Sequence, residues 1–508
     1  MSKRAAATVF ALSIAAFAQA DDEHHSHPVP EKLGTVRFAT SCAAAVQPAF
    51  ERAVALLHSF AYSASEQAFR AVAAQDPGCA IAYWGMAMSH YHPLWAPPSG
   101  EELRAATSQI SKAVDMGTGT PRERQFIDAL AIYYRDAEQA APEIRAQRYA
   151  DAMANVARRN TQDAEAQIFY ALALIATAPP ADKSHARQKQ AAAILEPLYR
   201  QQPQHPGLAH YLIHATDSAE LAPQGLAAAR AYSRIAPSVP HALHMPSHIF
   251  TRLGLWDDSI ASNRAARAAA REQGDLGEEL HAMDYLMYAY LQRGRYPDAR
   301  QLLVDLETKA DIHASDFKEG YASTAMPVRF AVERRTWDVS KKLEPRPDSP
   351  PHVAALAYWA RALGHTRGPN AGSAAADIAK LEDCRRALQS AGNKYWATQV
   401  EVLLKEAQAW QSQANGESEA AIQFMRAAAD EEDAVEKLPV TPGPIVPARE
   451  QLGELLLELK RPEQALKEFQ TALSSAPRRR GALVGAITSA DRVGNQEVAR
   501  QLRAELNQ

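Results

Sequence analysis

Hydrophobic residues recur along this chain at intervals of three and four positions, which is the spacing of one face of an α-helix. The most regular stretch is QLGELLLELKRPEQALKEFQTALSSAP, residues 451–477, where two amphipathic halves flank the polar turn KRPEQ. Strands are typically rich in Val, Ile and Thr that alternate with polar residues, and such runs do not occur. The pattern therefore predicts an all-α chain of helical hairpins.

The residue types in this stretch predict how its two helices pack. Gly453 and Ala465 are small enough to let the helices approach closely, and Phe469 fills the space between them. Pro477 ends the second helix. This spacing resembles the tetratricopeptide repeat (TPR), whose period is 34 residues. The resemblance implies a TPR-like α-solenoid of stacked helical hairpins, with a concave groove that binds a peptide, a protein or a small ligand.

Weaker matches to the same hairpin lie at residues 252–260, 291–303 and 413–428. The resemblance to TPR proteins thus extends over most of the chain, and it is most specific in the last unit. A proline-rich segment at 342–353 predicts a linker. It would separate an N-terminal TPR-like block, residues 41–341, from a C-terminal TPR-like block, residues 354–508.

The N-terminus predicts export. In residues 1–20, Lys3 and Arg4 precede an apolar run that ends in Ala-Gln-Ala, a pattern typical of a cleaved secretory signal peptide. Residues 21–40 are polar and carry His24, His25 and His27, and we expect a disordered leader there. The expectation is a periplasmic or secreted protein similar to exported bacterial TPR proteins, a resemblance that implies no particular activity.

Composition narrows the choice of partners. Hydrophobic residues make up 47% of the chain and the formal net charge is -4. No later stretch is long and apolar enough to span a membrane, so we expect no membrane span after signal cleavage. The basic residues are scattered rather than gathered in a stripe, so no nucleic-acid partner is expected.

The cysteines leave two possibilities open. Cys42 and Cys79 lie about one repeat apart, so they could sit on neighbouring repeats and form a disulfide in an exported protein. The alternative is a pair of buried thiols. In either case Cys384 stays unpaired.

Two histidine pairs stand in the same register of the repeat. Adding the period of 34 residues to His210 and His214 gives His244 and His248. Within each pair the spacing of four residues places both imidazoles on one helix face. Steps of three residues add His241 and Asp217 to the same faces of these two helices. The same reading of a third helix adds His281 and Asp284.

These side chains lie off the apolar stripe of their helices, so we expect them on the concave groove. Several neutral imidazoles beside carboxylates are ligands for a divalent transition metal such as zinc, copper or iron. One hypothesis is therefore a metalloprotein or metalloenzyme that uses a metal-activated water. The other is a scaffold whose polar groove binds a peptide or small ligand. His58, His90 and His92 either lie inside the N-terminal repeats or face the same groove.

Known catalytic motifs do not decide between the two hypotheses. The sequence has no Gly-rich phosphate loop, no G-x-S-x-G nucleophile motif and no H-E-x-x-H zinc motif. Whether the protein is an enzyme stays open at this point.

Overall fold

The structure is a computed structural model that describes residues 32–94, 97–98, 100–368 and 372–507. The chain is 72% helical, and no strand occurs in the part that the structure describes. The predicted signal peptide and the first part of the leader, with His24, His25 and His27, lie outside the described residues. None of the described helices is both long and apolar enough to cross a membrane.

The fold is an all-α, TPR-like solenoid in which each helix packs against the next along the chain. After a short 3-10 turn at Ala44–Val46, the first helices are α1 (Gln47–His58), α2 (Tyr62–Gln75), α3 (Ala80–Ser89), α4 (Gly100–Met116), α5 (Pro121–Tyr134), α6 (Pro142–Arg159), α7 (Ala164–Ala176) and α8 (Ala186–Gln201).

The middle of the chain carries the predicted histidines. Its helices are α9 (Pro206–Ala215), α10 (Ala222–Ile235), α11 (Pro240–His244), α12 (Pro246–Arg252), α13 (Trp256–Gln273), α14 (Leu276–Gln292), α15 (Tyr296–Glu307), α16 (Phe317–Glu333) and α17 (Trp337–Ser340).

The last helices follow a non-helical stretch at residues 341–350. They are α18 (Pro351–Arg367), α19 (Ala375–Ser390), α20 (Lys394–Ala414), α21 (Ser418–Asp433), α22 (Ala448–Glu458), α23 (Pro462–Ser475), α24 (Arg480–Arg492) and α25 (Gln496–Leu506).

Contacts between distant helices close the solenoid. Helix α9 packs on α1, and α24 packs on α14. Near the second contact, the indole nitrogen of Trp256 donates to the carbonyl oxygen of Arg478 at 3.1 Å. The backbone N–H of Arg480 donates to the side-chain oxygen of Gln292 at 2.9 Å. The end of the chain is thereby fixed against the histidine-bearing middle.

The predicted disorder of residues 21–40 does not extend to residues 32–40. Leu33, Val36 and Phe38 are buried, and the N–H of Thr35 donates to the carbonyl oxygen of Gln204 at 2.9 Å. The apolar side chains of this segment pack on the first helices because burial removes them from water. Just beyond it, Cys42 and Cys79 form a disulfide with their Cα atoms 4.9 Å apart, and Cys384 is a buried free thiol.

A long non-helical connection, residues 434–447, joins α21 to α22. Its central part, residues 436–446, contacts Tyr285 on α14 and Asp217 just after α9, and we call it the strap. The guanidinium group of Arg329 donates to the carbonyl oxygens of Pro444 and Gly443 in the strap, at 3.0 and 3.4 Å. The strap therefore covers part of the surface that the sequence predicted to be an open groove.

The last repeat confirms the predicted packing of small and aromatic residues. Phe469 is fully buried, and a Cβ atom added to Gly453 or Gly485 would lie 2.8 or 2.2 Å from its ring. Contacts that short do not occur between carbon atoms that are not bonded. The glycines are thus required for α22 and α24 to pack against Phe469 on α23.

The change Gly485→Ala should destabilise the protein by about 1–3 kcal/mol, because overpacking a fixed core outweighs the higher helix propensity of alanine. Gly277→Ala is the matched control, since its added Cβ would meet no atom closer than 3.7 Å. That control should be neutral or slightly stabilising. Urea unfolding of the two variants measures the difference, and equal stabilities would contradict this packing.

Candidate metal centre

Six buried histidines meet in the middle of the solenoid. They come from α9 (His210 and His214), from α11 and α12 (His241, His244 and His248) and from α14 (His281). Pro206, Pro240 and Pro246 occupy the first turns of α9, α11 and α12, where the missing N–H removes no helical hydrogen bond. These prolines set where each helix begins, and so they set the register of the histidines.

The six imidazoles form two groups of three. They are the first triad, His210, His214 and His241, and the second triad, His244, His248 and His281. Within each triad, one ring nitrogen of every histidine lies within 4.8 Å of the others. Nε2 of His210 is 3.1 Å from Nε2 of His214 and 3.2 Å from Nε2 of His241. In the second triad, Nε2 of His244 is 3.0 Å from Nε2 of His248.

The two triads are adjacent. The ring centroids of His214 and His248 are 6.0 Å apart, and those of His241 and His244 are 6.3 Å apart. The structure therefore brings together all six histidines that the sequence singled out on the three helices.

The other ring nitrogen, Nδ1, is bound to an oxygen in both triads. Nδ1 of His210 lies 2.6 Å from the carbonyl oxygen of His58. In the second triad, Nδ1 of His244 lies 2.6 Å from the side-chain oxygen of Asn263, and Nδ1 of His248 lies 2.9 Å from a carboxylate oxygen of Asp217. A carbonyl or carboxylate oxygen only accepts, so these partners place the proton on Nδ1 and leave a lone pair on Nε2.

Two lone pairs that face each other at this distance repel. His244 and His248 both donate from Nδ1, so in their neutral forms neither has a proton for the 3.0 Å contact between their Nε2 atoms. Two nitrogens bound to one zinc or copper ion, about 2.0–2.1 Å from it, lie about 2.9–3.4 Å apart. The observed separations of 3.0–3.2 Å lie within this range.

Burial favours the neutral form of five of the imidazoles. Removal from water lowers the pKa of His210, His214, His244 and His281 well below the usual value, and neighbouring histidines lower all four of these pKa values further. Burial also lowers the pKa of His248, to about 4, although Asp217 opposes the shift. Neutral imidazole is the form that binds a metal.

His281 completes the second triad. Its Nε2 is buried and has no hydrogen-bond partner among the described residues. Its ring centroid lies 4.3 Å from that of His244. A buried nitrogen without a partner is costly unless an ion or another group satisfies it.

The predicted carboxylate ligands lie outside both triads. One oxygen of Asp217 contacts His248 Nδ1, while the other lies 2.9 Å from Arg252, and Lys437 is 3.1 Å away. Burial alone would raise the pKa of Asp217, but Lys437 and Arg252 hold it well below its usual range. Asp217 therefore orients a histidine instead of facing an ion.

Asp284 is also displaced from the predicted ligand position. Its carboxylate lies 3.3 Å from the guanidinium of Arg329, a residue 45 positions later in the chain, and both side chains are buried. Burial raises the pKa of Asp284 although Arg329 opposes the shift. The arginine draws this carboxylate toward the strap.

Glu278 was missed by the sequence reasoning. One of its oxygens lies 3.2 Å from Nδ1 of His241 and 2.5 Å from Nζ of Lys318. Burial alone would raise the pKa of Glu278, but Lys318 and His241 hold it well below its usual range. Glu278 lies three residues before His281, and that spacing on one helix face was the available signal.

Two other clusters of metal-ligating residue types have ordinary partners. Glu165 lies between Nε2 of His58 and Nε2 of His205, at 2.9 and 3.0 Å. Nδ1 of His58 lies 3.0 Å from the hydroxyl of Tyr211. In this cluster nitrogens face oxygens, so His58 is an interior group that supports its neighbours. The cluster of Cys42, Asp76 and Cys79 contains the disulfide.

The histidines are buried and do not line an open groove, which corrects the predicted exposure. The hydroxyl of Tyr285 donates to the strap at the carbonyl oxygens of Pro439 and Thr441, at 3.1 and 3.2 Å. Its ring centroid lies 4.6 Å from that of His244 and 5.1 Å from that of His248. The strap and Tyr285 together cover the second triad.

Comparison with known proteins identifies no family. No protein-family model matches the sequence, and no curated protein matches it. Among solved structures, a human IFIT1 dimer with m7Gppp-AAAA matches this chain with a TM-score of 0.37 and 11% sequence identity; the match covers 84% of this chain and 89% of the IFIT1 chain. Yeast Tom70 matches with a TM-score of 0.34 and 8% identity, over 90% of this chain and 91% of the Tom70 chain. The α-solenoid assignment rests on the helices described above.

Lowering the pH should reduce the free energy of unfolding of the metal-free protein, because these histidines gain protons when the chain unfolds. The pKa values of His214 and His248 are lower in the folded than in the unfolded chain, so the unfolded chain binds protons first as the pH falls. Their contribution to the free energy of unfolding is therefore complete above pH 6.5 and decreases as the pH drops toward about 4. Each such group contributes about 1.4 kcal/mol per pH unit. Burial raises the pKa of Glu432 to about 8 and that of Glu450 to about 7, which gives the opposite slope.

Because these slopes oppose each other, the test compares the pH dependence of stability in a histidine variant with that in the unaltered chain. Urea unfolding with a chelator present, between pH 6.5 and 4.5, should give a shallower loss of stability in His214→Asn than in the unaltered chain, by about 1.4 kcal/mol per pH unit. His313→Asn, at an exposed position, is the control and should leave the slope unchanged. Equal slopes for His214→Asn and the unaltered chain would contradict the neutral, buried state of His214.

Proposed function

We propose that this protein is a metalloprotein that holds two transition-metal ions side by side, one in each histidine triad. The observation that carries the proposal is the set of Nε2 atoms 3.0–3.2 Å apart, several of them on rings whose Nδ1 atoms are fixed by oxygen acceptors. Hydrogen bonding within the protein does not account for the contact between His244 and His248, because both rings donate from Nδ1. A cation between them would turn that repulsion into coordination.

The ligand chemistry favours copper or zinc. All six proposed ligands are imidazoles, and the nearby carboxylates Asp217 and Glu278 are occupied by ring Nδ1 atoms and by cationic side chains. Non-haem iron sites commonly add a carboxylate to two histidines, whereas sets of three histidines hold zinc, and imidazole also suits copper. Copper binds such sites more tightly than zinc when both are available.

Three protein ligands would leave each ion a further coordination position that a water molecule could occupy. A bound divalent ion lowers the pKa of its water toward neutrality and so supplies a nucleophile or base at ordinary pH. The protein's own residues hold His210, His244 and His248 in one tautomer and exclude bulk water from the second triad. We therefore propose a metalloenzyme in which the two histidine triads would hold the ions and the ions would supply an activated water.

The peptide-binding scaffold is less well supported at this position. The strap already covers the concave face above the second triad, and a peptide in the same place would have to displace Lys437 from Asp217. The proposal also includes an exported, periplasmic or secreted location of the bacterial type. The Cys42–Cys79 disulfide supports it, since such bonds persist in oxidising compartments.

Elemental analysis of untagged protein tests the proposal. We expect two copper or zinc ions per chain after loading and gel filtration, and about one in His210→Asn or in His244→Asn. His352→Asn is the matched control, because His352 is a largely buried histidine that stacks on Trp396 outside both triads. Its metal content should stay at two. A folded chain that retains no metal, or equal loss in His352→Asn, would overturn the proposal.

The amide of Asn263 provides a second test, because it orients a proposed ligand without contacting the ion. Asn263→Ala should weaken the second ion about 10–100-fold in competition with a chelator, since it removes the oxygen bound to Nδ1 of His244. Asn263→Asp keeps an acceptor and should retain tight binding. Ser262→Ala, one residue away and bonded to Leu243, is the control. Unchanged affinity in Asn263→Ala would contradict the orienting role.

A further inference from the structure

A cavity of about 560 Å³ lies beside the first triad. Its walls come from the segment after α3, from α5 to α9 and from the strap. They mix polar residues with a larger number of apolar ones, among them Tyr91, Tyr133, Ile175 and Leu438. Several prolines also line it, which makes the walls stiff. The volume is within the range of pockets that bind small organic molecules.

The cavity reaches the first triad and not the second. His214 is the one triad residue in its lining, and Asp217 lies next to it there. His214 is 6% exposed, whereas His244, His248 and His281 are 0%, 1% and 1% exposed. The second triad is closed by Tyr285, whose hydroxyl is fixed to the strap. The two proposed ions therefore differ in their access to small molecules.

The charge at the triads themselves favours an anionic ligand. Of the carboxylates that line the cavity, Asp217 and Glu436 are paired with cationic side chains, and Glu143 is the third. Six neutral imidazoles leave the charge of two divalent ions uncompensated. Asp217 is paired with Arg252 and Lys437, and Glu278 is paired with Lys318, so these carboxylates are already neutralised. An uncompensated charge in a buried site is costly. An anion on the accessible ion would lower that cost.

Two lining residues also have unsatisfied polar atoms. The hydroxyl oxygen of Tyr91 and the side-chain oxygen of Gln188 are buried without a hydrogen-bond partner among the residues that the structure describes. Buried polar atoms usually have a partner. A ligand with polar substituents on an apolar body would supply the missing hydrogen bonds while its body fills the space beside Tyr133 and Ile175.

We propose that the cavity is the substrate site, and that it takes a small organic acid whose carboxylate or phenolate oxygen binds the ion of the first triad. The inference rests on the proposed metal centre and adds that only one of its two ions is open. The apolar walls would contact the organic body of the molecule, and the ion would bind its anionic oxygen.

Protein loaded with two cobalt ions tests this assignment, because the visible absorption of Co²⁺ changes when an anion joins its ligands. The probes are azide and benzoate. Both should change the spectrum by the amount expected for one of the two ions. In His244→Asn, which keeps the first triad, both probes should still act. In His214→Asn, which keeps the second triad, neither should act.

A cavity-filling variant tests the organic part of the ligand. Ala176 lines the cavity and is half-buried, so Ala176→Phe should weaken benzoate binding at least tenfold and change azide binding less than threefold. Ala427→Phe, on an exposed face of α21, is the matched control and should change neither.

The possible failures are distinguishable. A chain that retains no cobalt refutes the proposed metal centre itself. If two cobalt ions bind but neither azide nor benzoate changes the spectrum, the open first site is refuted and the metal centre is not. The same holds if the spectral change is lost in His244→Asn rather than in His214→Asn. Benzoate binding that is unaffected by Ala176→Phe refutes the cavity as the site of the ligand's organic part.

Discussion

Imidazole nitrogens that present lone pairs to one another at 3.0 Å repel unless a cation lies between them. The folded middle of this protein holds His244 and His248 in that arrangement, and it holds the Nε2 atoms of His214 and His241 3.1 and 3.2 Å from that of His210. Nδ1 of His210, His244 and His248 is engaged by an oxygen, so these rings are held in one tautomer. Burial further disfavours protonation, which would otherwise relieve the repulsion. This arrangement is the basis of the proposal that the site holds a pair of metal ions.

The α-solenoid supplies this arrangement by repetition. Successive helices present their histidines at equivalent positions, and the prolines at the helix starts set the register. Partners from more distant parts of the chain then complete the site. The carbonyl of His58 comes from the end of α1, and Lys437 comes from the strap. The same strap covers the second triad and leaves the cavity at the first, so it makes two similar sites unequal.

The sequence predicted the scaffold and the identity of the proposed ligands better than it predicted their surroundings. Helical periodicity and the 34-residue repeat were enough to relate His210 to His244 and His214 to His248. The spacing could not show that Asp284 would form an ion pair with Arg329, because Arg329 lies 45 residues later in the chain and is itself held by the strap. The strap itself is proline-rich and has no periodicity, so its path across the groove was not predictable. Burial of the second triad follows in part from that path, whereas Phe60 covers the rings of the first triad.

Anomalous diffraction from crystals of the loaded protein, measured at the absorption edge of the bound metal, tests the central claim most directly. The expected result is two peaks, one in each triad, each about 2.0–2.2 Å from the Nε2 atoms of its three histidines. The strongest support would come from peaks that also separate the facing nitrogens of His244 and His248. Crystals of loaded protein with no peak in either triad, or with peaks only on other residues, would contradict the assignment of these histidines as a metal centre.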